Sequence, residues 1–272
     1  MPPRNIIFLH IPKAAGSTLI RILRRQYPPE QRHTISTSPS VQMSIEAFRN
    51  KPEAERRGIR CVMGHGTFGL HNALVGPTQY IALLRDPVER IISHYYYVRR
   101  YTGHRLHDRL HAEGWSLHEY VSDSSNRELE NGMVRCMTGA TGGRITEADL
   151  DQALHNLDAY FAVSGTVQRF DASLLLMKQR LGWSSVYYRK RNVTSDRPTK
   201  SNIPVHTLRL IRSKNRYDLQ LYRHVRSTLE YELEQTDLRG QHRILNLQCA
   251  AYKAYQTLRA TARSFWASLP VG

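Results

Sequence analysis

The feature that most constrains this chain is a short apolar run that leads through a small-residue loop into a helix-like segment. Residues 6–9, IIFL, are continuous and apolar, as is typical of a parallel strand buried on both faces. The loop HIPKAAG follows, and STLIRILRRQY then has helical periodicity. Similar apolar runs at 59–63, 80–84 and 160–164 alternate with helical segments. This alternation predicts an α/β fold, a three-layer sandwich with a mostly parallel central sheet flanked by helices.

A chain of 272 residues has the length of one sizeable α/β domain. We expect that domain to cover residues 1–240. From about Val205 onward the sequence pattern is helical, so the C-terminal third is predicted to be helices. The last segment, 241–272, is predicted to be a helix packed on the same domain. Two alternatives stay open for it: contact with a partner helix, or a basic helix at a membrane surface.

The chain is strongly basic, with 39 Lys and Arg against 23 Asp and Glu and a formal charge of +16 at pH 7. Such a surface attracts anions, so the predicted partner is phosphorylated or polyanionic. A nucleic acid fits this charge as well as an anionic glycan does. Because the chain contains no recognised nucleic-acid-binding motif, no nucleic acid is expected as a partner.

The cysteines Cys61, Cys136 and Cys249 are widely spaced and form no CxxC pair, which argues against a disulfide framework and a zinc site. The pattern favours a reducing compartment. No signal-peptide pattern precedes the first strand, and no run approaches the roughly 18 to 20 apolar residues of a membrane span. A cytoplasmic protein with no transmembrane segment is therefore expected. These patterns do not predict an oligomeric state.

The loop after the first strand has the composition of a phosphate-binding cradle. Backbone N–H groups of a small-residue loop and the start of the following helix can converge on one phosphate, and Lys13 adds a mobile positive charge. The spacing differs from GxxxxGK[ST], because Lys13 precedes Gly16. The alternative is an ordinary strand-to-helix turn with a solvated lysine.

A second segment, LLRDPVERIISHYYYVRR, repeats the frame of strand, loop and helix. It places Arg85 at the end of a strand and Ser93 on the following helix, where a guanidinium and a hydroxyl can hold another phosphate. Asp86 is expected to cap that helix, with Pro87 in its first turn. Taken alone, Arg-Asp-Pro is more often a structural cap and ion pair. Because this segment follows the first loop in a matching frame of strand, loop and helix, the sequence favours the phosphate site.

Together the two segments resemble the phosphate-binding signatures of sulfotransferases that use 3′-phosphoadenosine 5′-phosphosulfate (PAPS). The sequence is most similar to the heparan sulfate 2-O- and uronyl sulfotransferase branch. The resemblance continues in order through GHGTFG, ENGMVRCMTG, FAVSGTVQRFDASLLLM and the NVT loop. It implies a P-loop-like fold, PAPS as sulfate donor without a metal ion, and a carbohydrate or other anionic hydroxyl-bearing acceptor.

The resemblance also assigns donor-binding roles. The first loop binds the 5′-phosphosulfate and the second segment binds the 3′-phosphate, while a later basic loop closes over the nucleotide. The donor-binding residues implied in this way are Lys13, Ala14, Ala15, Gly16, Ser17, Thr18, Arg85, Ser93, Arg191, Asn192, Thr194 and Ser195. Lys13 is suited to stabilise the charge that develops on the departing phosphate.

The acceptor hydroxyl must lose its proton, and an imidazole with a pKa near neutrality can accept it. His65, between Gly64 and Gly66, matches the family's proposed catalytic base; the alternative is a structural or substrate-binding histidine. Some members have a His-Gly-His arrangement, whereas this chain has Met63 at the first position. The predicted catalytic pair is therefore Lys13 and His65.

Several other side chains are candidates for contact with the acceptor. Asn131 and Arg135, four residues apart on a predicted helix, either face the acceptor or brace the cleft. The predicted acceptor-binding residues are His65, His71, Tyr96, Arg99, Asn131 and Arg135. His10, on the strand that leads into the loop, is expected to pack or hydrogen-bond there. The competing hypothesis for the whole chain is a non-catalytic protein of the same fold that binds nucleotides or polyanions.

Overall fold

The computed structural model describes residues 4–189 and 200–267, with side chains as far as residue 261. Five parallel strands form one sheet. They are Asn5–Leu9 (β1), Arg32–Ile35 (β2), Cys61–Gly64 (β3), Thr78–Leu84 (β4) and Phe161–Thr166 (β5). Their spatial order is β2-β3-β1-β4-β5, so β1 lies at the centre, paired with β3 and β4.

Helices cover the sheet and extend beyond it. In chain order they are Gly16–Gln26 (α1), Val41–Arg49 (α2), Glu53–Arg57 (α3), Pro87–Arg100 (α4), His107–Ala112 (α5), Leu117–Ser122 (α6), Gly132–Thr138 (α7), Glu147–Tyr160 (α8), Phe170–Leu181 (α9), Val205–Lys214 (α10), Arg216–Glu234 (α11) and Arg239–Ala267 (α12). Short 3-10 turns lie at Pro29–Gln31, Leu70–Ala73, Arg127–Leu129 and Lys200–Asn202. None of the helices in the described residues has the length and apolar composition needed to cross a membrane.

Alternation along the strands sends side chains into two separate cores, because successive side chains of a strand point to opposite faces. Ile7 and Leu9 of β1 pack on one face with α7, α8 and α11. Ile6 and Phe8 pack on the other face with α1 and α9, and buried Leu245 of α12 joins this cluster. The prediction of a three-layer α/β sandwich with a parallel sheet and a helical C-terminal third is confirmed. The division of the chain near residue 240 stays a prediction.

A third apolar cluster lies among α4, α5, α6 and α10. It includes Ile91 and Tyr95 of α4, Tyr120 of α6 and Ile211 of α10. Helix α4 begins where the sequence predicts, since Asp86 accepts a hydrogen bond from the Glu89 N–H (3.0 Å) and Pro87 occupies the first turn. This cluster holds α4 in place, the helix that carries Ser93 and the consecutive tyrosines Tyr95, Tyr96 and Tyr97.

The sequence analysis missed strand β2. The region from 28 to 57 looks polar, and the four residues of β2 include Arg32, His33 and Thr34, of which none is fully buried. The strand forms at the edge of the sheet through pairing with β3, where Thr34 lies opposite Met63. Backbone pairing therefore stabilises a strand that periodicity does not reveal.

One buried carboxylate links helices that are far apart in the sequence. Asp218 of α11 is fully buried and accepts hydrogen bonds from the N–H groups of Met133 (3.0 Å) and Val134 (2.8 Å) at the start of α7. The guanidinium of Arg90, which is 1% exposed, lies 3.5 Å from the same carboxylate. Burial raises the pKa of Asp218, and Arg90 and these N–H donors act in the opposite direction. The contact joins α4, α7 and α11.

Asp218→Ala is expected to reduce the free energy of unfolding by about 3–5 kcal/mol, because it leaves the buried Arg90 charge without its partner. Glu234→Ala, at the exposed end of the same helix, is the matched control and should change it by less than about 0.5 kcal/mol. Chemical denaturation of both variants measures the difference. Equal stability of the two variants would show that the buried pair is not a structural requirement.

Candidate active site

The loop between β1 and α1 folds closely around an imidazole. Lys13 and Ala15 have positive φ values of 68° and 60°, a left-handed conformation that is uncommon for residues with a Cβ atom. Helix α1 then begins at Gly16, against the ring of His10. A Cβ atom at Gly16 would lie 1.8 Å from His10 Cδ2, so only glycine fits at this position.

The start of α1 presents backbone donors at the carboxyl end of β1. A helix leaves its first N–H groups without intrahelical acceptors and carries a partial positive charge there. The first turn of α1, which contains Ser17 and Thr18, has no acidic residue. Lys13 lies three residues before the helix. The geometry is that of an anion-binding helix start.

The second predicted segment meets this loop directly. Arg85 follows the carboxyl end of β4, the strand beside β1, and its Nη1 donates a hydrogen bond to the carbonyl of Lys13 (3.0 Å). Arg85 also lies 3.5 Å from Glu89. Ser93 is half-buried on α4. The structure therefore brings together the two segments that the sequence predicts as phosphate sites.

The ammonium group of Lys13 lies over the ring of Tyr97, with Nζ 3.8 Å from the ring centroid. Burial lowers the pKa of Lys13 to about 8, and the positive charges of Arg85 and Arg100 act in the same direction. The lysine is therefore protonated at pH 7 but lies close to its titration range. Contact with the aromatic face is favourable for the charged form.

His65 follows the carboxyl end of β3 and packs against His10, with ring centroids 4.2 Å apart and the ring planes tilted by 36°. The backbone joins the two segments as well, since the His10 N–H donates to the Gly64 carbonyl (3.0 Å). Burial lowers the pKa of His65, Glu128 raises it, and Lys13 lowers it further. His65 is accordingly neutral at pH 7 and able to accept a proton.

His10 forms the floor of this arrangement. Burial lowers its pKa to about 3, with the charges of His65 and Lys13 adding to the effect. His10 is therefore uncharged at physiological pH, and its ring packs against that of His65. The sequence predicts that His10 packs or hydrogen-bonds at the end of its strand, and the structure shows it packed against Phe8, His65 and Gly16.

A carboxylate held by a histidine lies in the same region. His94 Nε2 lies 3.1 Å from Glu128 Oε2, and His94 Nδ1 lies 2.6 Å from the hydroxyl of Tyr120. The hydrogen bond from His94 lowers the pKa of Glu128 to about 2, and the charges of His94, Arg90 and His65 contribute. Glu128 is thus ionised at any working pH, with its side chain 53% exposed.

An open cavity of about 430 Å³ adjoins the start of α1. Its walls come from the start of α1, from the turn between β5 and α9 with the first residues of α9, and from Tyr188 and His242. They are Ala15, Thr18, Val167, Gln168, Arg169, Phe170, Asp171, Ala172, Tyr188 and His242. The rings of Phe170 and Tyr188 meet edge to face at 4.9 Å. A cavity of this volume has room for a nucleoside.

The chain matches one protein-family model over nearly its whole length. The family model described as Galactose-3-O-sulfotransferase matches residues 1–260. The chain belongs to the galactose-3-O-sulfotransferase family. The prediction of a carbohydrate sulfotransferase is therefore confirmed at the level of the family.

A solved structure described as mouse sulfotransferase SULT7A1 complexed with PAP is also similar to this chain. The sequence identity is 14% and the TM-score is 0.38, and the match covers 79% of this chain and 64% of that chain. The chain therefore spans less than two thirds of the length of the mouse protein chain that it matches. The comparison with curated proteins gave no match.

Two predicted acceptor residues of this family member serve as structural braces. Asn131 is buried, and its Oδ1 accepts hydrogen bonds from the N–H groups of Tyr217 (3.0 Å) and Asp218 (3.2 Å). Arg135 donates to the carbonyls of Gly142 and Gly143, both at 3.1 Å. These hydrogen bonds are those of a structural brace, and contact of the pair with the acceptor stays a prediction.

His71 lies apart from Lys13 and His65. Its Nδ1 lies 2.8 Å from the hydroxyl of Tyr80, and its ring contacts Phe68 and Tyr160. Tyr80 is the third residue of β4, toward its amino end, whereas the candidate site follows the carboxyl ends of the strands. A role of His71 in acceptor binding stays a prediction.

The three tyrosines of α4 make different contacts, and the predicted acceptor role of Tyr96 stays a prediction. Tyr95 is buried, and Tyr96 packs edge to face against it at 5.0 Å, while Tyr97 contacts Lys13. Tyr97 is the residue that the sequence analysis missed, although it lies four positions after Ser93 and hence on the same helix face. Arg99 is exposed on the last turn of α4, where its carbonyl lies 2.9 Å from His111 Nε2.

Four of the predicted donor-binding residues lie outside the described residues. They are Arg191, Asn192, Thr194 and Ser195. Within the ranges 4–189 and 200–267, no group of three or more His, Cys, Asp or Glu side chains is arranged to hold a metal ion. The sequence analysis also missed Glu128 and His104, whose ring lies 5.6 Å from His94 and 6.0 Å from Tyr97.

Glu128→Gln is expected to lower the pKa of His65, because the negative charge that favours the imidazolium is removed while an acceptor for His94 remains. Glu147→Gln, the same charge change at the exposed start of α8, serves as the control and should leave the pKa of His65 unchanged. NMR titration of the histidine ring protons measures both. An unchanged pKa in Glu128→Gln would contradict the electrostatic contact between Glu128 and His65.

Proposed function

We propose that this chain transfers a sulfuryl group from PAPS to a hydroxyl group of a carbohydrate, with galactosides as the first acceptors to examine. The observation that supports this most is the 3.0 Å hydrogen bond between Arg85 and the Lys13 carbonyl, which joins two phosphate-binding segments at one edge of the sheet. His65 lies beside them through its packing against His10. Membership of the galactose-3-O-sulfotransferase family supports the reaction class.

The described residues fit the donor. The loop has the closely curved backbone of a phosphate cradle, and Lys13, Gly16, Ser17 and Thr18 would hold the 5′-phosphosulfate. Arg85 and Ser93 would hold the 3′-phosphate. The adjoining cavity, walled by Phe170 and Tyr188, has room for the nucleoside. When bound, the donor supplies a sulfuryl group whose bond to the 5′-phosphate breaks as the acceptor oxygen attacks in line.

Lys13 supplies the positive charge that the reaction requires. As the sulfuryl group leaves, negative charge collects on the 5′-phosphate, and an ammonium group already in place stabilises it without reorganisation. The aromatic face of Tyr97 holds the ammonium before the donor arrives. Because the pKa of Lys13 is about 8, this charge is present at pH 7.

His65 takes the proton of the acceptor hydroxyl. Its lowered pKa keeps the ring neutral at pH 7, so a nitrogen lone pair is available for the proton. The new O–S bond forms at the acceptor, the old S–O bond breaks at the donor, and the proton passes to His65 and then to solvent. The ionised carboxylate of Glu128 stabilises the resulting imidazolium.

Lys13→Ala and His65→Ala are each expected to reduce the rate of sulfuryl transfer about 10²-fold or more, since each removes a group that acts on the transition state. The two variants should differ in nucleotide binding. Calorimetric titration with 3′-phosphoadenosine 5′-phosphate (PAP) is expected to show weakened binding for Lys13→Ala and nearly unchanged binding for His65→Ala.

The matched controls are Lys178→Ala on α9 and His155→Ala on α8, and both should retain full activity. Full activity in His65→Ala would overturn the role of His65 as base. Nucleotide binding by the wild-type chain without transfer to any acceptor would support a non-catalytic binding protein instead.

The pH dependence of kcat/KM is expected to be bell-shaped. Activity rises with pH as His65 loses its proton, below its ordinary pKa of about 6.5, and falls as Lys13 loses its proton near pH 8. Lys13→Arg should move the alkaline limb to higher pH, because a guanidinium stays protonated there. The same alkaline limb in both proteins would show that another group titrates.

A further inference from the structure

The C-terminal helix α12 has two different apolar faces. One face packs on the domain: Leu245 is buried, Cys249 Sγ accepts a hydrogen bond from the Tyr188 N–H (3.3 Å), and the ring of Tyr252 lies 4.9 Å from that of Tyr187. These contacts fix the rotation of the helix about its own axis. A second face, roughly 130° away around the helix, is therefore held toward solvent.

That solvent face carries large apolar side chains. Ile244 is 57% exposed, Leu247 71%, Tyr255 57% and Leu258 71%, with exposed Ala251 between them. At about 100° per residue, these five positions fall within roughly 80° of the helix circumference, and from first to last they span about 21 Å. We call these five residues the outer stripe. A continuous apolar surface of this kind marks a binding site more often than isolated exposed residues do.

The charges around the outer stripe have one sign. Between residues 239 and 261, α12 contains Arg239, Arg243, Lys253 and Arg259 and no Asp or Glu. All four cations are exposed, and within the described part of the chain none of them pairs with a carboxylate. By helical spacing, Arg243 borders the stripe on one side and Arg259 on the other.

This charge pattern distinguishes between the possible occupants. In a pair of identical helices, Arg243 and Arg259 would approach the cations of the second copy, with no carboxylate on either helix to pair with them. Paired helices normally carry complementary charges beside their apolar seam. An anionic lipid surface instead accepts the apolar stripe among its acyl chains and the bordering cations among its phosphates.

We propose that α12 binds in the plane of an anionic lipid surface, with the outer stripe buried in the headgroup region. The net charge of +16 attracts the chain to such a surface, and the outer stripe determines which face docks. His242, two residues before the stripe begins, lines the cavity beside the Lys13 loop. Docking through α12 therefore holds that cavity close to the lipid surface.

The test measures binding of the full chain to vesicles by co-sedimentation. One set of vesicles is phosphatidylcholine alone, and the other is an equimolar mixture of phosphatidylcholine and phosphatidylglycerol. The double variant Leu247→Ser/Leu258→Ser is expected to bind the anionic vesicles at least about tenfold more weakly than the wild type. Arg243→Gln/Arg259→Gln should also bind more weakly, with a smaller dependence on salt.

The matched control is Met43→Ser/Val205→Ser, which removes apolar side chains of similar exposure, 56% and 62%, from α2 and α10. It should bind as the wild type does. Because all four apolar positions are exposed, thermal unfolding is expected to be unchanged in both double variants.

Several outcomes would overturn the proposal. They are failure of the wild type to bind the anionic vesicles, equal binding by the Leu247→Ser/Leu258→Ser variant, and equal loss in the Met43→Ser/Val205→Ser variant. The second outcome would mean that net charge alone attracts the chain. Self-association of the wild type that this leucine variant abolishes, without vesicle binding, would assign the stripe to a second copy of the chain.

Discussion

The hydrogen bond from Arg85 to the carbonyl of Lys13 connects the carboxyl ends of the two central strands, and the candidate site depends on it. Parallel pairing of β1 with β4 brings the two loops to the same edge of the sheet, and this bond fixes one against the other. The positive φ values of Lys13 and Ala15 and the contact of Gly16 with His10 then determine the path of the loop. A substitution that removes this hydrogen bond would therefore affect the Lys13 loop and the Arg85 segment together.

The site concentrates positive charge and balances it in two ways. Lys13, Arg85 and Arg100 are close enough to lower the pKa of the lysine, which favours an anionic ligand that would relieve their repulsion. The adjacent imidazoles of His10 and His65 stay neutral mainly because burial lowers their pKa values, and the charge of Lys13 acts in the same direction. Glu128 is the opposing charge, and its hydrogen bond with His94 keeps it ionised. This balance suits a site that receives a polyanionic donor and a proton at neighbouring positions.

Structural features that follow from local sequence patterns are predictable from this sequence, whereas features that depend on contacts between distant segments are harder to predict. The central strands and the Lys13 loop follow from local patterns, and their meeting with Arg85 follows from the geometry of parallel sheets. Strand β2 could not be predicted, because it is four residues long and owes its conformation to pairing with β3. Tyr97 could have been predicted from its helical spacing with Ser93. Glu128 lies on a short 3-10 turn, where no periodicity indicates its neighbours.

Asn131 and Arg135 illustrate a different limit. Arg135 lies on α7, but Asn131 is the left-handed residue just before that helix, and α11, which is far away in the sequence, covers it and makes it a buried brace.

Sulfuryl transfer, and not nucleotide binding alone, is the activity proposed for this chain. Mass spectrometry of a galactoside panel, after incubation with the wild-type chain and PAPS, measures that transfer. The expected result is a galactoside that gains one sulfuryl group while PAP accumulates in equal amount, whereas nucleotide binding with every acceptor unchanged would overturn the proposed activity.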